Sequence, residues 1–441
     1  MAQTTPQARA MALGLRALRV VAGSDVIDRV GLRGPAERIV ARASADGFRA
    51  AGAASRVFTA TTRLAGPARP KRAGGGDLFD LTPTDEQKFL VEAFGSFAAE
   101  RLRAAAGAAD EAGAPPPEVL AGSVELGAAM LGIPVELGGA LEERSAVTGV
   151  LIGEALAGGD MGLAVACLAP AAVGTALGLW GDAGQQARYL PELAGDDPPA
   201  AALALLEPRP LFDPFGLATT ARRVGGDYEL SGVKSLVPRA ADDELFLVAA
   251  QLDGAGPALF VVESSTAGVG VEAEPAMGVR AAATGRLTLE GVRLPEAALV
   301  GGGEPQVYSE CVQRARLAWC ALAVGTAQAV LDYVVPYVNE RVAFGEPVSH
   351  RQAVAFSVAD IGIELEAMRL LTYRAAALAD RGEPFARETA IARSHCARHA
   401  MTIGSKGVQL LGGHGYVREH PVERWYRDLR AVGLVEGALL V

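Results

Sequence analysis

The chain has 441 residues, of which 50% are hydrophobic and 5% aromatic, and its formal net charge is −10 at pH 7. This length exceeds a single compact core and predicts two or three domains. The negative net charge argues against a nucleic-acid-binding protein. No uninterrupted apolar run reaches the roughly 18–20 residues of a membrane span, which argues against an integral membrane protein.

The first 76 residues form a basic extension that ends in a glycine-rich linker. Residues 1–72 contain 13 Lys and Arg against 4 Asp and Glu, whereas the remainder contains 28 against 47. Because Val and Ile are interspersed in helical patterning, we expect amphipathic helices rather than a free tail. These would dock on the acidic body of the assembly or make peripheral contact with anionic lipid. A flexible tail and an Arg-rich organellar transit peptide remain open alternatives.

Residues 77–202 carry helical periodicity and are predicted to form an N-terminal α-helical domain. A helix is predicted to begin at Thr84, because Asp85 and Glu86 occupy its first turn. The apolar stretch Leu151–Trp180 is interrupted by acidic residues and glycines, which predicts buried helix pieces.

Residues 203–304 change to strand-type patterning and predict a small central β domain. The predicted strands are Tyr228–Val233, Glu244–Gln251, Ala258–Glu263 and Arg286–Leu289. From residue 305 to 441 the chain returns to long helices, which predicts a C-terminal helical bundle. Its predicted helices are Val307–Asn339, Arg351–Arg381 and Ala386–Leu411, with glycine stops at Gly382 and at Gly412-Gly413. Helices and strands are segregated rather than alternating, which indicates separate domains.

Four cysteines are spread along the chain without any C-x-x-C motif: Cys167, Cys311, Cys320 and Cys396. This spacing predicts neither a disulfide framework nor a zinc site and fits a reducing compartment such as the cytoplasm.

His395 and His399 have the i,i+4 spacing of a metal-binding pair. Cys396 lies about 100° around the helix from His395 and does not complete such a site. We therefore expect a coincidental pair and no metal.

The chain contains a series of ordered motifs. They include Leu131–Gly139, Tyr189–Pro191, Glu207-Pro208, Gly232–Ser235, Glu340–Gly345, Gln409–Tyr416, Glu419–Arg424, Arg427-Asp428 and Glu436-Gly437. From about Thr82 onward, their order and spacing resemble the acyl-CoA dehydrogenase family. The resemblance implies a multi-domain α+β fold: an N-terminal helical domain, a central β-barrel or sandwich and a C-terminal four-helix bundle. Residues 1–75 lie outside the resemblance.

The resemblance also implies FAD-dependent α,β-dehydrogenation of an acyl-CoA thioester, with electrons passed to an electron-transfer flavoprotein. The α-proton base in the family is a carboxylate, and Glu436 stands at the matching position, 27 residues after Gln409. Its apolar neighbours suit a base whose pKa must rise towards neutrality. Some family members carry the base on the first C-terminal helix, where Ala315 stands here. Judged on local sequence alone, a solvated carboxylate near the chain end is the favoured interpretation of Glu436, and the 27-residue interval from Gln409 reverses that preference.

The FAD contacts implied by the resemblance belong to the adenine-diphosphate half of the cofactor, held across a subunit interface. They are Arg341, Phe344, Gln352, Gln409, Gly412 and Gly413. An Arg can fork onto diphosphate oxygens, and glycines let the backbone approach phosphate closely. A homo- or hetero-oligomer, as a dimer or tetramer, is therefore expected. Arg316 matches a substrate-contacting position, although a solvated helix-face role stays open because Gln313 replaces an acidic residue of that pattern.

The resemblance breaks down in the segment expected to contact the flavin ring. Leu206 and Phe212 stand where the family has Thr and Ser, and Leu236-Val237-Pro238 replaces Trp-Ile-Thr. Two interpretations stay open, since buried ring heteroatoms without partners would be costly. Either main-chain groups hold the ring, or the chain is a non-catalytic partner or acyl-CoA-binding subunit without its own flavin. In the second case it would lend Arg341 and the Gly412-Gly413 turn to the flavin of another subunit.

Overall fold

The computed structural model describes residues 82–141 and 144–435. The basic extension of residues 1–76 and the predicted base Glu436 lie outside the described residues. The expectations for both segments therefore stay predictions. Within the described ranges, the chain forms a helical part, a β part and a second helical part in that order. The predicted α+β fold is confirmed.

The described residues of the N-terminal part form six α-helices, with one π-helical stretch between the first two. They are α1 (Asp85–Phe97), the π segment (Ala98–Leu102), α2 (Arg103–Ala112), α3 (Pro117–Glu125), α4 (Ala146–Ala157), α5 (Met161–Trp180) and α6 (Ala183–Leu193). The predicted start of α1 is confirmed by a capping box. Thr84 Oγ1 accepts a hydrogen bond from the Gln87 amide, and the Gln87 side chain accepts one from the Thr84 amide.

The central part is an eight-stranded sheet. Its strands are β1 (Ala201–Ala204), β2 (Thr220–Val224), β3 (Asp227–Val237), β4 (Leu245–Leu252), β5 (Gly256–Glu263), β6 (Val269–Ala273), β7 (Gly285–Leu294) and β8 (Leu299–Val300). The order across the sheet is β6-β7-β3-β2-β4-β5-β8, and β1 pairs with β4 in parallel. All four predicted strands are present with slightly different ends. The strands β1, β2, β6 and β8 were not predicted.

Between residues 305 and 435, the C-terminal part contains three long helices and one short helix. They are α7 (Pro305–Glu340), α8 (Gln352–Asp380), α9 (Ala386–Leu411) and α10 (Val422–Leu429), with a two-stranded hairpin of β9 (Val342–Ala343) and β10 (Glu346–Pro347) between α7 and α8. Gly382 and Gly412 have φ angles of 66° and 59°, which explains why the predicted helix stops lie at glycines. The short α10 was not predicted.

Two helices, α5 and α7, are long and apolar enough to cross a membrane by length and composition alone. However, 94% of the apolar window of α5 and 72% of that of α7 are buried inside the protein. Residues from both helices belong to the main hydrophobic core. They therefore act as core helices of the described structure, as expected for Leu151–Trp180.

The short helix α10 joins the three parts of the fold through its Arg and Asp side chains. Arg424 Nε lies 3.1 Å from Asp160 Oδ2 at the start of α5. Arg427 pairs with Asp110 on α2, and Asp428 Oδ1 accepts a 2.6 Å hydrogen bond from the Val279 amide of the β part. These contacts fix the main chain shortly before the region of the predicted base.

Candidate cofactor and substrate site

Four of the six predicted FAD contacts line one cavity of about 550 Å³. Arg341 caps the C-terminal end of α7, Gln409 lies in the last turn of α9, and Gly412 and Gly413 follow directly. The remaining lining residues are Tyr337, Val348, Ala353, Val354, Ser357, Leu410, Leu411 and His414. The cavity forms because α7 and α9 end at the same side of the bundle, where the first turns of α8 begin.

The other two predicted contacts, Phe344 and Gln352, do not line this cavity. Phe344 stands at the tip of the β9–β10 hairpin with 97% of its surface exposed. The Arg351 guanidinium carbon lies 5.8 Å from the centre of its ring. Gln352 begins α8 and is also exposed. Both side chains are thus accessible to a second subunit.

Local backbone geometry explains the glycines at this cavity. Gly412 adopts φ 59° and ψ −132°, a combination that side-chain-bearing residues rarely adopt. A Cβ at Gly415 would lie 2.2 Å from the Val408 carbonyl oxygen, so that turn also requires glycine. The main chain therefore turns sharply after α9, and the C-terminal end of α9 lines the same cavity as Arg341.

Tyr337 and His414 are among the cavity residues that were not predicted as FAD contacts. The Tyr337 hydroxyl lies 2.7 Å from His414 Nδ1, which fixes both side chains at the cavity wall. The signal that could have found Tyr337 is its position one turn before Arg341 on the same helix. His414 lies within the Gly412–Gly415 turn itself.

On the strand side, a buried ion pair joins the two segments that contain the altered positions. Lys234 Nζ lies 2.9 Å from Glu207 Oε1, and the side chains are 0% and 3% exposed. Burial lowers the pKa of Lys234 to about 8 despite the attraction of Glu207. Burial would raise the pKa of Glu207, but the charge of Lys234 and the amides of Ala218 and Thr219 outweigh it, so this pKa is lowered. The Glu207–Lys234 pair fixes the loop after β1 against β3.

The altered positions themselves present apolar side chains. Leu206 is buried, and Phe212 is half-buried with the Arg209 guanidinium carbon 5.7 Å from its ring centre. Leu236 has φ 50°, a strained value for a residue with a side chain. Ser235 Oγ and the Leu236 amide both donate 2.8 Å hydrogen bonds to Glu274 Oε2. The hydroxyl nearest to the altered motif is therefore already paired within the chain.

The predicted substrate contact Arg316 is half-buried on α7 and does not line the cavity at the helix ends. Gln313, one turn earlier, is 8% exposed, and its side-chain oxygen has no hydrogen-bond partner within the described part of the chain. Ala315 is fully buried. The unpartnered oxygen of Gln313 is a buried acceptor beside Arg316 on the same helix.

The donor set fits the adenine-diphosphate half of FAD. It offers a guanidinium for which the described residues supply no partner, an amide side chain, and a glycine turn at a helix end. On the strand side, the altered positions offer apolar surface and main-chain groups. The residues that suit FAD are therefore those of the cavity at the helix ends.

Three family models match this chain: acyl-CoA dehydrogenase, N-terminal domain, over residues 84–197; middle domain, over 202–292; and C-terminal domain, over 305–439. The short/branched chain specific acyl-CoA dehydrogenase, mitochondrial, of Rattus norvegicus is 33% identical over 364 residues, covering 81% of this chain and 83% of that protein. Butyryl-CoA dehydrogenase from Megasphaera elsdenii superposes with a TM-score of 0.75 and 27% identity, over 81% of this chain and 96% of that one. A glutaryl-CoA dehydrogenase from Mycobacterium smegmatis, in complex with FADH2, has a TM-score of 0.73 and 25% identity, over 80% and 92% of the two chains.

Proposed function

This chain belongs to the acyl-CoA dehydrogenase family, and on that premise we propose that it is an FAD-dependent oxidoreductase acting on the CH–CH bond of an acyl-CoA thioester. The observation that carries the proposal is the convergence of Arg341, Gln409, Gly412 and Gly413 on one cavity. These residues come from separate helix ends, and their types are suited to a diphosphate.

In the proposed reaction, FAD supplies a hydride acceptor for the β-carbon of the acyl group. Glu436 removes the α-proton, a role supported by its motif position. The preceding residue, Val435, is 4% exposed, and its carbonyl accepts a 2.9 Å hydrogen bond from Arg393. The main chain is therefore anchored at Val435, the last described residue before Glu436.

The substrate class follows from the relatives. Their names specify short or branched acyl groups, butyryl-CoA and glutaryl-CoA. We propose a short or branched acyl-CoA as substrate, with Arg316 as a contact, and an electron-transfer flavoprotein as the electron acceptor. The outward-facing Phe344 and Gln352 support an assembly in which a neighbouring subunit meets the cofactor.

A second candidate is a half-site subunit that lends Arg341 and Gly412-Gly413 to a partner and lacks its own flavin ring site. The observation in its favour is the altered strand segment. Leu206 and Phe212 have no hydroxyl group. The Ser235 hydroxyl and the Leu236 amide already donate hydrogen bonds to Glu274. A flavin ring placed there would depend on main-chain groups that remain unpaired.

Flavin content and anaerobic reduction separate the two candidates. The purified full-length protein should show a flavin absorbance band with about one FAD per chain, as expected for an enzyme with complete sites. Anaerobic addition of butyryl-CoA or a branched short acyl-CoA should bleach the band. A colourless protein that FAD does not reconstitute would favour the half-site subunit. A yellow protein that no acyl-CoA reduces would contradict the proposed reaction.

A further inference from the structure

The long helices α8 and α9 bring three metal-ligating groups together outside the cofactor cavity. Glu364 lies on α8, and His395 and His399 lie one turn apart on α9. One nitrogen of each imidazole faces the same carboxylate: His395 Nε2 is 3.2 Å and His399 Nδ1 is 3.0 Å from Glu364 Oε2. The three ligating atoms all lie within 4.8 Å of one another.

These separations are close to those of a coordination shell. Zinc binds His nitrogen and carboxylate oxygen at about 2.0–2.2 Å, so neighbouring ligands of a tetrahedral ion lie about 3.4 Å apart. The two nitrogen–oxygen distances are shorter than this by only a few tenths of an ångström. Small side-chain rotations would open the required space.

One ring nitrogen of the cluster lacks a hydrogen-bond partner in the described structure. The His395 Nε2 atom is buried and has no hydrogen bond of acceptable geometry in the described structure, although Glu364 Oε2 is 3.2 Å away. The two imidazole rings are stacked, with centroids 4.1 Å apart and an interplanar angle of 29°.

The surroundings make the arrangement rigid. His395 is followed by the buried Cys396 and His399 by the buried Ala400, and both belong to the main hydrophobic core, as does Leu365 of α8. Cys396 contacts Thr372, with 3.9 Å between sulfur and hydroxyl, and is not part of the cluster. The donor set is therefore two imidazoles and one carboxylate, which suits zinc and neighbouring transition ions rather than a thiolate site.

We propose that Glu364, His395 and His399 bind one divalent transition-metal ion of the zinc class, which clips α8 to α9. Three side chains are half-buried, with exposures of 32%, 26% and 20%, so water can complete the coordination shell. The sequence predicted a coincidental His pair because Cys396 does not complete a site on that helix face, and the third ligand, Glu364, lies on another helix. The proposal is independent of the flavin.

The proposed metal site is tested by calorimetric titration of ZnCl2 into full-length, tag-free protein that has been treated with a chelator. The absorbance of bound Co²⁺ gives a second readout. One ion per chain is expected, with micromolar or tighter affinity. His395→Gln, His399→Gln and Glu364→Gln should each weaken Zn²⁺ binding by about 10-fold or more, as loss of one ligand should. Zn²⁺ should raise the thermal midpoint of the parent and not that of the His395→Gln/His399→Gln double variant.

The matched control is His350→Gln. His350 also lies near a carboxylate, 3.4 Å from Glu346, but no second His joins that pair within the described structure. This variant should bind Zn²⁺ as the parent does. The proposal is overturned if the parent binds no ion below millimolar concentration, or if the double His variant keeps the parental affinity. Circular dichroism of each variant shows whether the fold is retained, and Glu364→Gln tests the site without altering α9.

Discussion

Arg427 and Asp110 form a two-pronged ion pair between α10 and α2. The Arg427 Nη1 and Nη2 atoms donate to the two Asp110 carboxylate oxygens at 2.8 and 2.7 Å. Arg427 also binds Glu423 on its own helix at 2.9 Å and the Met277 carbonyl at 3.1 Å. One guanidinium thus joins the two helical parts to the β part, a few residues before the predicted base.

We expect Arg427→Ala to lower the free energy of unfolding by about 3–5 kcal/mol. Loss of the guanidinium leaves Asp110, with a side chain only 9% exposed, without its partner. The control is Arg222→Ala, which removes an ion pair to Glu229 from an Arg that is 61% exposed. It should change stability by no more than about 1 kcal/mol. Urea unfolding followed by circular dichroism gives both values, and equal losses would contradict the role of Arg427.

Asp428 provides a prediction about pH. Burial, reinforced by the charge of Asp160, raises the pKa of Asp428 from its usual value of 3.8 to about 8. Between these values the folded state holds the proton more tightly than the unfolded state. The stabilisation of the folded state by the Asp428 proton is therefore fully present below about pH 4 and is lost as the pH rises through about 8. The free energy of unfolding falls over this range by at most about 1.4 kcal/mol per pH unit.

Asp428→Asn should make the loss of stability between pH 5 and 8 shallower, because Asn keeps an oxygen for the Val279 amide and carries no charge. At pH 8 the variant should be more stable than the parent. Asp253→Asn, in an exposed turn, serves as the control. Urea unfolding at several pH values measures the slopes, and identical slopes for parent and Asp428→Asn would refute the prediction.

The sequence predicted most of the fold because local signals agreed with tertiary packing. The helix start at Thr84 and the bounds Ala386–Leu411 were both confirmed. The strand β1 was missed because Ala201–Ala204 is buried throughout and shows no alternation. The short helix α10 was missed because its position depends on charged contacts to distant residues such as Asp110 and Asp160, which no local pattern reveals.

The candidate site was only partly predictable for the same reason. Arg341 and Gln409 share a cavity because two helices end together, which their motif spacing anticipated. The outward orientation of Phe344 depends on the hairpin turn, where φ is 55°. The pairing of Glu364 with His395 depends on how α8 and α9 align, and helix register cannot be derived from either helix alone.

For the cofactor cavity, we expect Arg341→Gln to raise the dissociation constant for FAD by about 10- to 100-fold. A hydrogen bond to a charged group contributes about 1.5–3 kcal/mol, and Gln keeps a polar side chain without the charge. The control is Arg381→Gln, at the exposed end of α8, where the nearest carboxylate is Glu383 at 3.8 Å. Flavin fluorescence after ultrafiltration reports the free fraction. Equal retention in both variants would remove Arg341 from the binding site.

For the proposed base, Glu436→Gln should keep FAD and acyl-CoA binding and lose several orders of magnitude in turnover. The amide has nearly the same shape as the carboxylate but cannot accept the α-proton. Dye-coupled turnover and the rate of flavin bleaching are measured alongside the flavin content. Turnover within about threefold of the parent would exclude Glu436 as the base. The isosteric change separates this outcome from loss of the cofactor.

The last prediction concerns an apolar stripe on the outer face of α8. Phe356, Ile363 and Leu370 follow one another at intervals of seven residues and are 60%, 66% and 45% exposed. Residues at this interval share one helix face, so the three side chains form an apolar row along α8. Such surfaces on folded chains commonly mark contacts between subunits.

We therefore expect the protein to sediment as a dimer or tetramer, and Ile363→Asp to dissociate it. A charge in the middle of an apolar interface would be buried without a partner, whereas in the isolated subunit it stays in water. The control is Leu211→Asp, which changes another exposed apolar residue, 100% exposed and outside the helices, and should leave the assembly intact. Since Phe344 and Gln352 face outward from the cofactor cavity, the dissociated variant should also release FAD. Sedimentation velocity with detection at both protein and flavin wavelengths measures the two effects together. A parental assembly in Ile363→Asp would place the interface elsewhere, and a monomer that retains FAD would show that one subunit suffices to hold the cofactor.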